Sequence, residues 1–99
     1  MYRFVRSLKV KGNLPEAVRW AKGIADYVNT HHSPPKVHVY TGLFGDVNTI
    51  FWEAEHKDLA SVEGVFAKIT SDQGYRAVVS KANGLFIEGS LHDSLMGSV

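Results

Sequence analysis

The order of strand-like and helix-like periodicities along the chain is the feature that most constrains its fold. Residues 2–11 alternate between apolar and polar side chains, which is typical of a strand with one buried face. A helical pattern begins at Asn13, a residue suited to an N-cap, with Pro15 in the first turn and Glu16 three residues after the cap. Apolar side chains then recur at helical spacing at Ala17, Ala21, Ile24 and Val28.

Two strand-like runs follow this helix. Ser33-Pro34-Pro35 ends the helix because proline lacks a backbone donor, and His31-His32 beside it is expected in a solvated loop. Residues 36–44 and 48–56 flank Gly45-Asp46-Val47, so we predict an antiparallel hairpin. In the second run one face carries Ile50, Trp52, Ala54 and His56, and the other carries Phe51, Glu53 and Glu55.

A second helical region and a last strand complete the pattern. Asp58 is the expected N-cap, and apolar residues follow it at helical spacing at Leu59, Val62, Phe66 and Ile69. Asp72-Gln73-Gly74 is expected to break this helix before a last helical piece at 75–81, which Asn83-Gly84 ends. We predict the final strand at 85–90 and a tail, or an extension swapped with a partner, at 91–99.

The order strand, helix, strand, strand, helix, strand predicts an α+β fold of the ferredoxin-like βαββαβ type. In such a fold, a four-stranded antiparallel sheet carries both helices on one face. With 99 residues the chain is long enough for one hydrophobic core, so residues 1–99 are interpreted as a single domain.

Composition excludes several classes of protein. The chain has no cysteine, which excludes thiol catalysis and cysteine-ligated zinc, and its net charge of +1 argues against nucleic-acid or anionic-membrane binding. It also lacks nucleophile-elbow, phosphate-binding glycine and RNA-binding aromatic motifs. No apolar run approaches the ~20 residues of a membrane span, and Arg3 and Arg6 interrupt any signal-peptide core. We therefore expect a cytoplasmic protein without a cofactor.

The sheet face that the helices leave uncovered predicts a partner. That face should carry Val5, Phe51 and one of the two alternating sets in residues 36–44, both of which are apolar or aromatic. Because large exposed apolar surfaces usually mark interfaces, we predict a homodimer that packs sheet against sheet.

Residues 39–61 resemble the dimeric α/β-barrel superfamily, particularly its NIPSNAP-like and antibiotic-biosynthesis-monooxygenase-like members. They comprise a strand, a glycine turn, a second strand and a helix start at Asp58-Leu59-Ala60, as in that superfamily. Residues 72–76 and 84–86 are similar to its second-helix ending and last strand. The resemblance implies a dimeric barrel with a pocket in each subunit between sheet and helices. Members include cofactor-independent monooxygenases, polyketide cyclases, haem-degrading enzymes and proteins without established activity. Trp52 lies on a different element from the tryptophan of the haem-degrading branch, which argues against haem degradation.

His56 and Arg6 are the leading candidates for catalysis. In a partly buried pocket His56 could act as a general base or acid; the structural alternative is a strand-end histidine bonded to a loop. Arg6 interrupts the apolar face of the first strand, and a buried arginine needs a carboxylate or an anionic ligand. In the functional interpretation, Arg6 would bind a carboxylate or phenolate group of a ligand. The structural alternatives are a strand-edge position or a pair with Glu53, Glu55 or Glu88.

Further candidates are aromatic. His38 and Tyr40 share one side of their strand and could bind or polarise a phenol or carbonyl, although packing would also explain them. The candidate substrate-binding residues, for which packing is again the alternative, are Trp52, Tyr75 and Trp20.

The acidic residues of the second hairpin strand do not predict a metal site. Glu53 and Glu55 share one strand face, whereas His56 points to the other. We expect these glutamates to pair with Arg3 or Lys9.

Two functions remain open. The first is binding of a small apolar or aromatic molecule, with cofactor-free oxygenation or cyclisation if the protein is an enzyme. The second is a non-enzymatic homodimeric binding or interaction module with a filled core. A pocket of ~300 Å³ or more on which Arg6 or His56 converges favours the first, and a packed interior with both residues structurally paired favours the second.

Overall fold

A computed structural model describes residues 1–32 and 35–99, so Ser33 and Pro34, on which the predicted helix break partly rests, lie outside the described residues. In the part described, four strands and three α-helices follow one another, with a 3₁₀ turn at Ser80–Ala82 after the last helix. They are β1 (Tyr2–Lys9), α1 (Leu14–His31), β2 (His38–Thr41), β3 (Thr49–His56), α2 (Leu59–Thr70), α3 (Gln73–Val79) and β4 (His92–Gly97).

The strands form one antiparallel sheet in the order β2-β3-β1-β4, which confirms the predicted ferredoxin-like fold. In the β1–β3 register, Phe4 lies opposite Ala54 and Arg6 lies opposite Trp52. Because opposed residues share a face, the even-numbered side chains of both central strands point towards the helices. The odd-numbered side chains point to the open face.

The predicted caps begin the two longer helices. The Asn13 side chain accepts a hydrogen bond from Glu16 N at 3.0 Å, and the Asp58 side chain accepts one from Ser61 N at 2.8 Å. Each satisfies a backbone N–H that has no partner within its helix. The α1 face turned to the sheet is buried at Ala17, Ala21, Ile24, Ala25 and Val28.

Asp72 joins the break between α2 and α3 to the end of α1. Its carboxylate caps α3 by accepting from Tyr75 N at 3.1 Å, accepts from the Tyr27 hydroxyl at 2.9 Å, and lies 2.6 Å from His32 Nε2. The solvated-loop prediction for His32 is therefore wrong, because this histidine is held against Asp72. A side chain at Gly74 would displace the Tyr27 hydroxyl from its contact with Asp72, so glycine at this position preserves that hydrogen bond.

The last strand lies later in the chain than predicted. Residues 85–87 extend beside the end of β1, where Ile87 N donates to Lys9 O at 2.8 Å and Lys11 N donates to Leu85 O at 2.9 Å. The chain then turns at Gly89, whose φ is +78°, and pairs with β1 as β4. The predicted strand at 85–90 and the predicted tail at 91–99 are both wrong.

This error has a physical cause. The run Leu85-Phe86-Ile87 is apolar because Leu85 is buried and Phe86 packs against the core, and Phe86 adds a single bridge to Val10. In contrast, β4 is an edge strand with no buried residue, so its sequence shows little hydrophobic alternation.

The core lies between the sheet and α1. Its buried members are Val10, Ala17, Ala21, Ile24, Ala25, Ile50 and Trp52. Among the described residues, no helix has the length and apolar character needed to span a bilayer.

Candidate functional site

A pocket of about 230 Å³ lies between the sheet and the helices, outside the packed core. The sheet contributes Phe4, Arg6, Leu8, Trp52, Ala54 and His56 to its wall. The facing helices contribute Trp20, Ile24, Val28, Phe66, Ile69 and Tyr75. The wall is almost wholly apolar, with a few polar groups, as is typical of small-molecule sites.

The space exists because of two side-chain choices. Phe66 on α2 meets Phe4 on β1 edge to face, with ring centroids 4.8 Å apart, and α2 has only one buried residue, Val62. Ala54, opposite Phe4, is too small to fill the gap between the sheet and α2. A bulky contact at one point and a small side chain beside it leave the pocket open.

Arg6 points into the pocket and is paired with a residue that the sequence did not single out. Its Nε and Nη2 donate to the two carboxylate oxygens of Asp93, at 2.8 Å and 2.9 Å. The guanidinium also lies 5.8 Å from the Phe4 ring centroid and 5.7 Å from that of Phe66. The hydrogen bond to Asp93 raises the pKa of Arg6, against the opposing effect of burial. Arg6 is therefore charged and tightly held. The prediction that it would pair with Glu53, Glu55 or Glu88 is wrong, because its partner is Asp93.

Tyr75 lies beside this ion pair. Burial raises the pKa of its hydroxyl, while the positive charge of Arg6 opposes the change. The phenol is consequently protonated near neutral pH and can donate a hydrogen bond.

His56 is buried, with 3% of its surface exposed, and lines the pocket. Its Nδ1 lies 3.0 Å from the Ser61 hydroxyl in the first turn of α2. Burial lowers the pKa of His56, and the negative charge of Asp58 only partly opposes this. The ring is therefore mainly neutral near pH 7, which is the state of a general base.

His56 and Arg6 line the same pocket without converging on one point. Arg6 lies opposite Trp52, and His56 follows Trp52 by four positions along β3. At a rise of about 3.3 Å for each residue, the two backbone positions are about 13 Å apart along the strand. A ligand would have to be elongated to touch both.

Trp52 and Trp20 are pocket walls whose polar atoms are already used. The Trp52 indole N–H donates to Ala21 O and the Trp20 indole N–H to Val78 O, both at 3.1 Å. The two rings meet edge to face with centroids 5.9 Å apart. These residues offer a ligand only apolar ring surface.

His38 and Tyr40 lie on the opposite, open face of the sheet. His38 pairs with Glu53 in the β2–β3 register, and Tyr40 pairs with Phe51. Both are exposed, so the structure separates them from His56 and Arg6.

The open face is more polar than the sequence suggested. Arg3 Nε lies 3.1 Å from Glu53 and its Nη2 lies 2.8 Å from Glu55, which confirms the expected pairing of these glutamates. Apolar surface flanks this charged group, because Tyr40 and Met96 are each 50% exposed. Within residues 1–32 and 35–99, no group of three or more potential ligands is placed to hold a metal ion.

Asp93, the partner of Arg6, is the residue of this site that the sequence did not single out. A weak signal was present: Leu91 and Leu95 are spaced to share one strand face with Asp93, and Gly89 precedes them as a turn residue. Only the pairing with β1 shows which way the Asp93 side chain points.

Comparisons by sequence and by structure give different results. No family model and no curated protein matches the sequence. Solved structures do match the fold over nearly the whole chain. A NIPSNAP family protein with unknown function from Agrobacterium tumefaciens superposes with a TM-score of 0.79 at 16% identity, covering 97% of this chain and 86% of the other.

Two further structures extend the range of relatives in fold. An uncharacterized NIPSNAP domain protein from Burkholderia xenovorans has a TM-score of 0.82 at 12% identity, covering 100% of this chain and 95% of the other. SnoaB, a cofactor-independent oxygenase from Streptomyces nogalater, has a TM-score of 0.69 at 14% identity, covering 98% and 91%. The fold is thus that of NIPSNAP and antibiotic-biosynthesis-monooxygenase-like proteins, as the sequence resemblance implied, and this likeness concerns the fold alone.

Proposed function

We propose that this protein binds a small apolar or aromatic molecule in the pocket between its sheet and helices. The observation that carries the proposal is the unfilled space of about 230 Å³ beside a well-packed core, with aromatic walls and few polar groups. This volume is below the ~300 Å³ that would have favoured this function from the sequence, so the proposed ligand is small, on the scale of one or two rings.

We further propose that the chemistry is cofactor-free oxygenation or cyclisation. The similarity in fold to a cofactor-independent oxygenase supports this choice. Neutral His56 is the base that would remove an acidic proton from the bound substrate. In an oxygenation the resulting anion would reduce molecular oxygen, with one oxygen atom entering the product and the other leaving as water; in a cyclisation it would attack a carbonyl carbon of the same molecule. Arg6 and Tyr75 would supply hydrogen bonds at the other end of the pocket.

A ligand screen tests the binding proposal. Thermal unfolding of the full chain should shift upwards with naphthols, quinols or related phenols, because a ligand that binds only the folded state stabilises it. The site variant is Ala54→Leu, whose added atoms occupy part of the pocket, and the matched control is Ala60→Leu on the exposed surface of α2. A ligand-induced shift of the same size in the Ala54→Leu variant as in the wild type would place the ligand elsewhere.

We also propose that the protein is a homodimer formed through the open sheet face. Exposed Tyr40 and Met96 give this face apolar contact area around its charged centre. Light scattering at micromolar concentration should give twice the mass of the chain. Tyr40→Glu should lower the mass towards that of a monomer, whereas Ala67→Glu, on the exposed side of α2, should not. A monomeric wild-type protein would refute the dimer.

One observation favours the alternative of a non-enzymatic homodimeric interaction module. Arg6 and His56 both have protein partners, Asp93 and Ser61, as purely structural residues would. A stable dimer whose unfolding temperature responds to no compound in the screen would support this alternative.

A further inference from the structure

The polar end of the pocket carries a charged residue but no net charge. Arg6, whose side chain is half-buried, is bound by both oxygens of Asp93, so the protein itself supplies a carboxylate partner for the arginine. Glu53 also borders the pocket, but its side chain lies on the open face of the sheet, where it pairs with Arg3. Within the described part of the chain, each formal charge on the pocket wall is therefore matched by an opposite one.

The polar groups that a ligand could contact are either neutral or already bound to a protein partner. Two of the five N–H donors of Arg6 are used by Asp93, and the rings of Phe4 and Phe66 hold its guanidinium in place. Tyr75 beside it is a neutral phenol, and His56 at the far end is a mainly neutral imidazole. These groups can donate hydrogen bonds, but they offer no uncompensated positive charge.

From this arrangement we infer that the pocket selects uncharged apolar or aromatic molecules bearing a carbonyl-type oxygen, and that Asp93 excludes the corresponding carboxylates. The inference rests on the proposed binding function. A ligand carboxylate beside Arg6 would lie close to the Asp93 carboxylate, and its loss of hydration would not be repaid. A carbonyl oxygen could accept a hydrogen bond from Arg6 or Tyr75 without that repulsion.

Two isosteric probes test the selection, 2-naphthamide and 2-naphthoate, of which only the second is ionised at pH 7. Calorimetry on the wild-type chain should give an affinity for the amide at least about tenfold greater than for the acid. The repulsion between two nearby negative charges is large enough to produce a difference of this size. Asp93→Asn should raise the affinity for 2-naphthoate by a similar factor and leave that for the amide nearly unchanged. Asp46→Asn, which removes a carboxylate from the exposed loop before β3, should leave the ratio of affinities unchanged and so controls for net charge.

The outcomes separate this inference from the function on which it rests. Preference for 2-naphthoate in the wild type, or an unchanged ratio in Asp93→Asn, overturns the inference while binding stands. Binding of neither probe overturns both. Methyl 2-naphthoate, an uncharged acceptor, gives a test that does not depend on the folding of the variant. In the wild type it should bind as tightly as the amide, and binding no tighter than the acid overturns the inference.

Discussion

Replacing Ala54 by leucine is expected to stabilise the protein while weakening ligand binding. The side chain points into the pocket opposite Phe4 and is 6% exposed. The added atoms occupy roughly 80 Å³ of a cavity of about 230 Å³, and at about 24 cal/mol for each Å³ of void removed the gain is at most about 2 kcal/mol. Imperfect fit subtracts from this, so a net gain of about 1 kcal/mol is expected.

Urea and thermal unfolding followed by circular dichroism measure this change. For a chain of this size, 1 kcal/mol corresponds to an increase in Tm of about 4–8 °C. Ala60→Leu, which adds the same atoms on an exposed helix surface, should change the free energy of unfolding by less than about 0.5 kcal/mol. Destabilisation of the Ala54→Leu variant by more than about 1 kcal/mol would show that the space is already filled and that the protein has no pocket for a ligand there.

Three further substitutions test the packing and electrostatics. Burial lowers the pKa of His56 below 6.5, so the contribution of this histidine to stability is complete above pH 6.5 and is lost as the pH falls. Between pH 7 and pH 5 the urea midpoint of His56→Gln should therefore fall less than that of the wild type. Equal decreases in the two midpoints would contradict this. The hydrogen bond from His32, aided by those from Tyr75 N and the Tyr27 hydroxyl, lowers the pKa of Asp72 to about 2, so its stabilising effect is present above pH 3.8 and fades towards pH 2. Asp72→Asn should lack that part of the acid transition, and an identical acid titration by circular dichroism would argue against it. Trp52→Phe should cost about 1–3 kcal/mol in urea unfolding, because it removes the buried hydrogen bond to the α1 backbone and part of the core volume; a loss below about 0.5 kcal/mol would contradict the packing.

Most helices and strands could be predicted from the sequence, because caps and hydrophobic periodicity depend only on residues close together in the chain. The Asn13 and Asp58 caps begin helices where their side chains can reach a backbone N–H three residues on. The alternation in β3 correctly placed Trp52 and His56 on the helix side, since a strand has no other way to present one buried face. The resemblance to the dimeric α/β-barrel superfamily rested on the same order of strands and helices.

The failures concern residues whose surroundings come from distant parts of the chain. The sequence placed Arg6 on an apolar face and required a counter-charge, but it could not choose among the carboxylates. Asp93, 87 residues away, became the partner only because β4 adds to the edge of β1 in that register. The position of His32 beside Asp72 likewise depends on how the end of α1 meets the α2–α3 turn.

The amino-acid sequence alone determined the alternation of strand and helix, the face of each that is buried and the need of Arg6 for a negative partner, because these depend on spacing and on the cost of burying charge. The tertiary structure alone decided that space remains under α2, that His56 and Arg6 stand at opposite ends of it, and that Asp93 neutralises one end. Such features depend on the fit between side chains remote in the chain, and no local pattern records that fit.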